Sequence, residues 1–176
     1  TLSWLFTEWL SKGKPTLLGM VSGAVAGLVA VTPASGYAGP MGAIVLGLIV
    51  SPICFFFVST VKNALKYDDS LDVFGVHCVG GIIGALATGL LVNPALGGVG
   101  IADYAAKPGE LSVADYDMAT VMLAQIKAIL LTLVWSGIGS AILYKVTDLL
   151  VGLRVSPEAE REGLDTVSYT HLRAHE

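Results

Sequence analysis

Four stretches of this chain are apolar for long enough to cross a bilayer, and polar residues gather between them. A membrane-crossing helix needs about 20 consecutive, mostly apolar residues. The first stretch runs from about Thr16 to Thr32, the second from about Met41 to Val61 and the third from about Leu71 to Val92. The fourth, about Ala119 to Leu150, is too long for a perpendicular crossing and is expected to tilt or to project beyond the membrane. Thr1 to Leu10 reads as the end of an earlier helix. The pattern predicts an all-α integral membrane protein built as a helical bundle.

The loops give this bundle a direction. Lys12 and Lys14 precede the first span, Lys62 and Lys66 follow the second, and Lys145, Arg154 and Arg161 lie at or beyond the end of the fourth. The opposite loops are the uncharged "PASGYAGP" and the Asn93–Tyr116 segment, where Asp103, Glu110 and Asp115 outnumber Lys107. Basic loops stay on the cytoplasmic side, so the expectation is a multi-pass protein of the inner or plasma membrane with a cytoplasmic C-terminus. Composition agrees: of 176 residues only 14% are charged and 54% are hydrophobic, where a soluble domain carries about 25% charged residues. The chain lacks an initiator Met and starts abruptly with no secretory signal, which suggests a fragment. Cys54 and Cys78 both lie in apolar runs and read as small buried hydrophobes rather than a disulfide or a metal site. Nothing calls for a cofactor, a metal or nucleic acid.

Small residues recur at helical spacing: Gly19, Gly23 and Gly27 on the first span, then Gly80 and Gly84, with Ala85 and Gly89, on the third. Lipid tails supply no hydrophobic drive between helices, so such spacing favours close backbone approach.

Polar groups inside the apolar runs carry the candidate chemistry. His77 is the clearest, because an ionisable group at bilayer depth is costly without a role. With Asp72 near the cytoplasmic mouth, His77 lies roughly 7 Å further in by helical rise. A desolvated imidazole is expected to be neutral, one nitrogen donating and the other accepting. That suits hydrogen bonding to a small polar permeant or relaying a proton. Asp68, Asp69, Ser70 and Asp72 straddle the start of the third span, where acidic residues satisfy free N–H groups and complement the positive helix end. Asp72 is read as the helix-start residue, with cation attraction as the competing role. Lys127 is expected to snorkel toward the outer interface. Phe55, Phe56 and Phe57 read as lipid-facing or core filler, with a cation-attracting role as the alternative. In the tail, Ser156 before Pro157 reads as a helix start.

With these features in place, "GKPTLLGMVSGAVAGLVAVTPASGY" (Gly13–Tyr37), "DVFGVHCVGGIIGALATGLL" (Asp72–Leu91), "LGGVG" (Leu96–Gly100) and "VGLRVSPEAEREGLD" (Val151–Asp165) resemble the C-terminal part of the ammonium transporter (Amt/Mep/Rh) family. The resemblance runs almost continuously over residues 1–165. It implies part of an eleven-helix fold made of two inverted repeats and assembled as a homotrimer. The four spans would be helices eight to eleven, within the second repeat, with 151–165 a cytoplasmic tail. His77 matches the second member of the family's twin histidines, whose first member lies on a helix this chain lacks. Val73 and Val25 match apolar pore-lining positions, Asp72 an acidic position at the cytoplasmic pore end, and Ser22 and Thr32 pore-near positions on the first span. Phe56 stands where the family often has tryptophan, so no role is carried onto it.

The function so implied is transport of ammonium, or methylammonium, as ammonia through an apolar pore. Apolar walls exclude a hydrated cation, while imidazoles supply the few hydrogen bonds ammonia needs. The resemblance also implies a PII-type regulator acting at the cytoplasmic side. Residues 166–176 depart from the family pattern and read as a foreign tail. Within it, His171 and His175 have the spacing of a helical metal pair. The rival reading is a membrane ammonium sensor coupled to signalling, which would continue into a further domain. A membrane-embedded enzyme using His77, Cys78 and Asp72 fails on geometry, since adjacent helical residues point about 100° apart.

Overall fold

This computed structural model describes residues 1–103 and 112–163. The proposed foreign tail, with its two histidines, lies outside the described residues, as do Lys107 and Glu110. The chain divides into two units, Thr1–Leu130 and Leu131–Glu176.

The helices are α1 (Leu2–Lys12), α2 (Leu17–Ala34), α3 (Pro40–Leu65), α4 (Phe74–Leu91), α5 (Met118–Leu150) and α6 (Pro157–Glu162). Those from α2 to α5 are long and apolar enough to cross a membrane. Their ends follow local chemistry. The Thr16 side chain accepts the Gly19 N–H at 3.0 Å, capping α2. Pro40 opens α3 in the first turn, where its missing N–H costs nothing. Gly13, at φ 78°, ends α1 in the left-handed conformation while its N–H reaches Trp9 O. A two-stranded antiparallel ribbon pairs Ile101–Asp103 with Ser112–Ala114, an addition to the all-helical expectation.

In the first unit α2 is the hub, packed by α1, α3 and α4. The core gathers Trp4 from α1, Ala26, Ala30 and Ala34 from α2, Leu46, Val50, Cys54 and Phe55 from α3, and Val76 from α4. Trp4 meets Phe55 edge to face, with ring centroids 5.5 Å apart. The small-residue spacing is largely explained by this packing. Gly19 and Gly23 face Glu8 and Trp4 of α1, Gly84 faces the Ala30 backbone, and Gly89 faces Met122. Gly27 is the exception: among the described residues no atom beyond its own helical turn lies within 4 Å of where its Cβ would be, so the triple repeat serves α1 at two positions only.

Two prolines interrupt α2 and α3, and each leaves one carbonyl without its helical N–H. For Pro52 that carbonyl belongs to Leu48, and the Ser3 hydroxyl of α1 donates to it at 2.7 Å. Of the two cysteines Cys54 is buried, as expected, whereas Cys78 is only partly covered.

In the second unit the tail folds back on itself. Ser156 Oγ accepts the Ala159 N–H at 3.2 Å, with Pro157 in the first turn of α6. Arg154 grips Glu160 through two hydrogen bonds of 2.7 and 3.0 Å.

Candidate functional site

The candidate residues lie where α2 runs beside the first turns of α4. The two helices are parallel neighbours: Gly80 approaches Ala26 and Val29, and Gly84 approaches Ala30. By the same register Ser22 and Val25 fall at the level of His77, both partly buried on α2. Thr32 does not join them. It lies in the last turn of α2, roughly 10 Å or more further along by helical rise, and its hydroxyl is spent on Leu28 O at 2.7 Å.

Val73 and His77, one turn apart, share the exposed side of α4, with Val73 50% exposed. The opposite side, Gly75, Val76, Val79 and Gly80, is buried. An imidazole and an isopropyl group thus stand together on a face that the other described helices of the first unit leave open.

The turn that carries His77 is not α-helical. Phe74–Cys78 form a π-helical turn, and a second one, Phe57–Val61, lies in α3. Such turns are rare and cluster at functional sites. No residue type in either segment signals them, so sequence reading missed both.

Below His77 the start of α4 is held by a charged cluster. Asp72 stands at the helix start: its carbonyl accepts the Val76 N–H at 2.9 Å. Its φ of 57° is unusual for a residue with a side chain. Its carboxylate, however, pairs with Lys62 at 2.7 Å. The capping itself comes from Asp69, whose two oxygens accept the Val73 and Phe74 N–H groups at 2.8 and 2.9 Å. Lys62 also donates to Asp69 O. Helix-start chemistry is therefore divided between two acids, and Lys62 ties them to the end of α3.

A second polar cluster escaped sequence reading. Glu8 is 3% exposed, yet its carboxylate is well served. Glu8 Oε2 accepts the Thr16 N–H at 3.1 Å, the Thr16 hydroxyl reaches both carboxylate oxygens at 3.1 Å, and Lys12 stands 3.4 Å away. It occupies the room left by the absent side chain of Gly19, against the positive N-terminal end of α2. The available signal was a lone carboxylate in the apolar stretch "WLFTEWL". Among the described residues no group of three or more His, Cys, Asp or Glu side chains is arranged to hold a metal ion.

Comparison with known proteins adds the following. A family model described as Ammonium Transporter Family matches residues 1–173. The chain is 45% identical to an ammonium transporter of Aquifex aeolicus over 161 residues, covering 92% of this chain and 35% of that protein. It is 40% identical to an ammonium transporter of Bacillus subtilis, covering 92% of this chain and 38% of the relative. The crystal structure of Saccharomyces cerevisiae Mep2 superposes with a TM-score of 0.68 at 29% identity, over 89% of this chain and 34% of Mep2. The chain thus spans little more than a third of the length of these relatives.

Proposed function

The chain belongs to the ammonium transporter family, a family of transporters and not of enzymes, and from that premise we propose that it supplies part of an ammonium-conducting pore. Its four long apolar helices are read as helices eight to eleven of the full transporter, with α1 as the end of helix seven. The tail after Leu150 is then cytoplasmic, in line with the lysine-rich loops.

The observation that carries the reading is the shared open face of Val73 and His77. A histidine placed beside apolar groups within a membrane-length helix is costly unless something polar meets it. Here the surface it occupies is open to whatever completes the protein. Val73 and Val25 supply apolar wall, and His77 supplies a donor or an acceptor to ammonia. Ser22 lies at the same level on α2 and is read as pore-near. Thr32 belongs to the other end of α2. Asp72, paired with Lys62, acts at the cytoplasmic end by holding the start of α4.

The partner imidazole, the trimer and a PII-type regulator of the cytoplasmic side belong to the same proposal, on family likeness alone. The test uses the full-length transporter carrying this segment. His77→Ala is expected to cut methylammonium uptake sharply with normal amounts in the membrane. Wild-type uptake and selectivity in that variant would remove the pore assignment.

A further inference from the structure

The two π-helical turns of the first unit meet each other beside His77. A π turn closes i to i+5 hydrogen bonds and so holds one residue more than the α-helical turn it replaces. Here the Val79 N–H reaches Phe74 O in α4, and the Lys62 N–H reaches Phe57 O in α3. Taking one residue out of the α4 turn would rotate everything before it by roughly 100° against everything after it. The turn therefore decides where the imidazole points relative to the packed face made by Val79, Gly80 and Gly84.

The two turns touch closely at one point. Gly75, its second residue, is buried, and Val58, from the other π turn, fills the space a side chain there would need. A Cβ on Gly75 would stand 2.7 Å from Val58 Cγ2, 3.2 Å from Val58 N and 3.4 Å from Phe57 Cβ. Around this contact the Phe57 and Phe74 rings lie 6.2 Å apart. The Lys62–Asp72 ion pair, 2.7 Å long, joins the residue just after one π turn to the residue two before the other. The two widened turns are thus interlocked at the centre by a valine in a glycine gap and tied at one end by charge.

We propose that Gly75 and Val58 are positioning residues that set the direction of the His77 imidazole, each π turn keeping the other in its widened form. This rests on the reading of His77 as a pore residue. Neither Gly75 nor Val58 needs to touch the permeant. Their part is to fix the rotation of the segment that does.

The full-length transporter carrying this segment, reconstituted in vesicles, provides the test, with methylammonium uptake measured per transporter and as a function of pH. The variants are Gly75→Ala, Val58→Ala, the double variant and His77→Ala. Each of the first two is expected to lower maximal uptake per transporter by roughly tenfold, short of the roughly hundredfold that a 1 Å misplacement can cost. Each should also displace the pH profile. The double variant is expected to return to within about twofold of wild type, because the alanine methyl enters room the valine has vacated and the two changes are coupled.

Wild-type uptake per transporter in Val58→Ala, with His77→Ala impaired, overturns the proposal and leaves the pore reading standing. That outcome decides even where Gly75→Ala fails to accumulate. Changed membrane abundance with an unchanged rate per transporter in every variant reduces the contact to packing and overturns it equally. Wild-type transport by His77→Ala removes the pore reading, and this inference with it.

Discussion

Gly84 of α4 lies directly on the carbonyl group of Ala30 in α2: a Cβ built on Gly84 would stand 2.9 Å from the Ala30 carbonyl carbon and 3.0 Å from its Cα. The obstacle is backbone, which cannot swing aside as a side chain can. Gly84→Ala must therefore push the two helices apart at this contact. Overpacking of this kind costs about 1–3 kcal/mol. A lower melting temperature of the detergent-solubilised transporter is expected, and an unchanged one would contradict the crossing. Gly27→Ala, where space is open among the described residues, is the matching comparison and should melt no lower than wild type, alanine being the better helix former.

Glu8 predicts a second loss of stability, by a different cause. Removing its carboxylate takes away the acceptor of the Thr16 N–H and hydroxyl at a partly buried contact, and the carboxylate beside Lys12. A hydrogen bond of this kind contributes about 0.5–1.5 kcal/mol. Glu8→Ala should lower the melting temperature, and Glu8→Gln, which keeps an acceptor oxygen, should lower it less. Equal melting of both variants would show that the hydrogen bonds from Thr16 contribute little.

The two acids at the start of α4 are separable. Asp69 accepts the Val73 and Phe74 N–H groups, whereas Asp72 holds Lys62. Asp69→Ala is expected to remove a helix cap worth about 1 kcal/mol and to speed amide exchange at Val73 and Phe74. Lys62→Met should leave those two amides slow, since their acceptor remains. Fast exchange in both variants would mean that capping and ion pair act as one unit.

Much of this architecture was legible in the residues, and the reasons differ from place to place. The long helices were readable because hydropathy alone decides which segments reach bilayer length. His77 was readable because an ionisable group in such a segment is conspicuous. The division of labour between Asp69 and Asp72 was not: it depends on Lys62 arriving from another helix, and only the fold brings that cation to Asp72. The π turns were hidden for a related reason. On the proposal above they are held by a valine fitting a gap in a neighbouring helix, and "FGVHC" reads equally well as ordinary helix. Gly27 shows the converse, a spacing that suggests packing where no neighbour comes among the described residues.

The tail carries a pH dependence whose sign is set by Arg154. The guanidinium bonded to Glu160 holds its carboxyl below the ordinary glutamate value. A carboxylate with a depressed pKa contributes above its unfolded value and loses that contribution as the pH falls through the folded one. The fold of the tail should therefore persist at neutral pH and loosen below the usual glutamate range. Amide exchange in α6 would report it, and Arg154→Gln should remove most of the pH dependence. A tail equally ordered at acid pH, or a variant with the same profile, would contradict this origin.

The Ser3 hydroxyl that meets the Leu48 carbonyl opened by Pro52 has a consequence for assembly. Within hydrocarbon a freed carbonyl finds no water, so α3 on its own carries an unanswered acceptor. In this structure a single rotatable O–H from α1 answers it. The proline thus couples the seating of α1 against α3 to the hydrogen bonding of α3 itself.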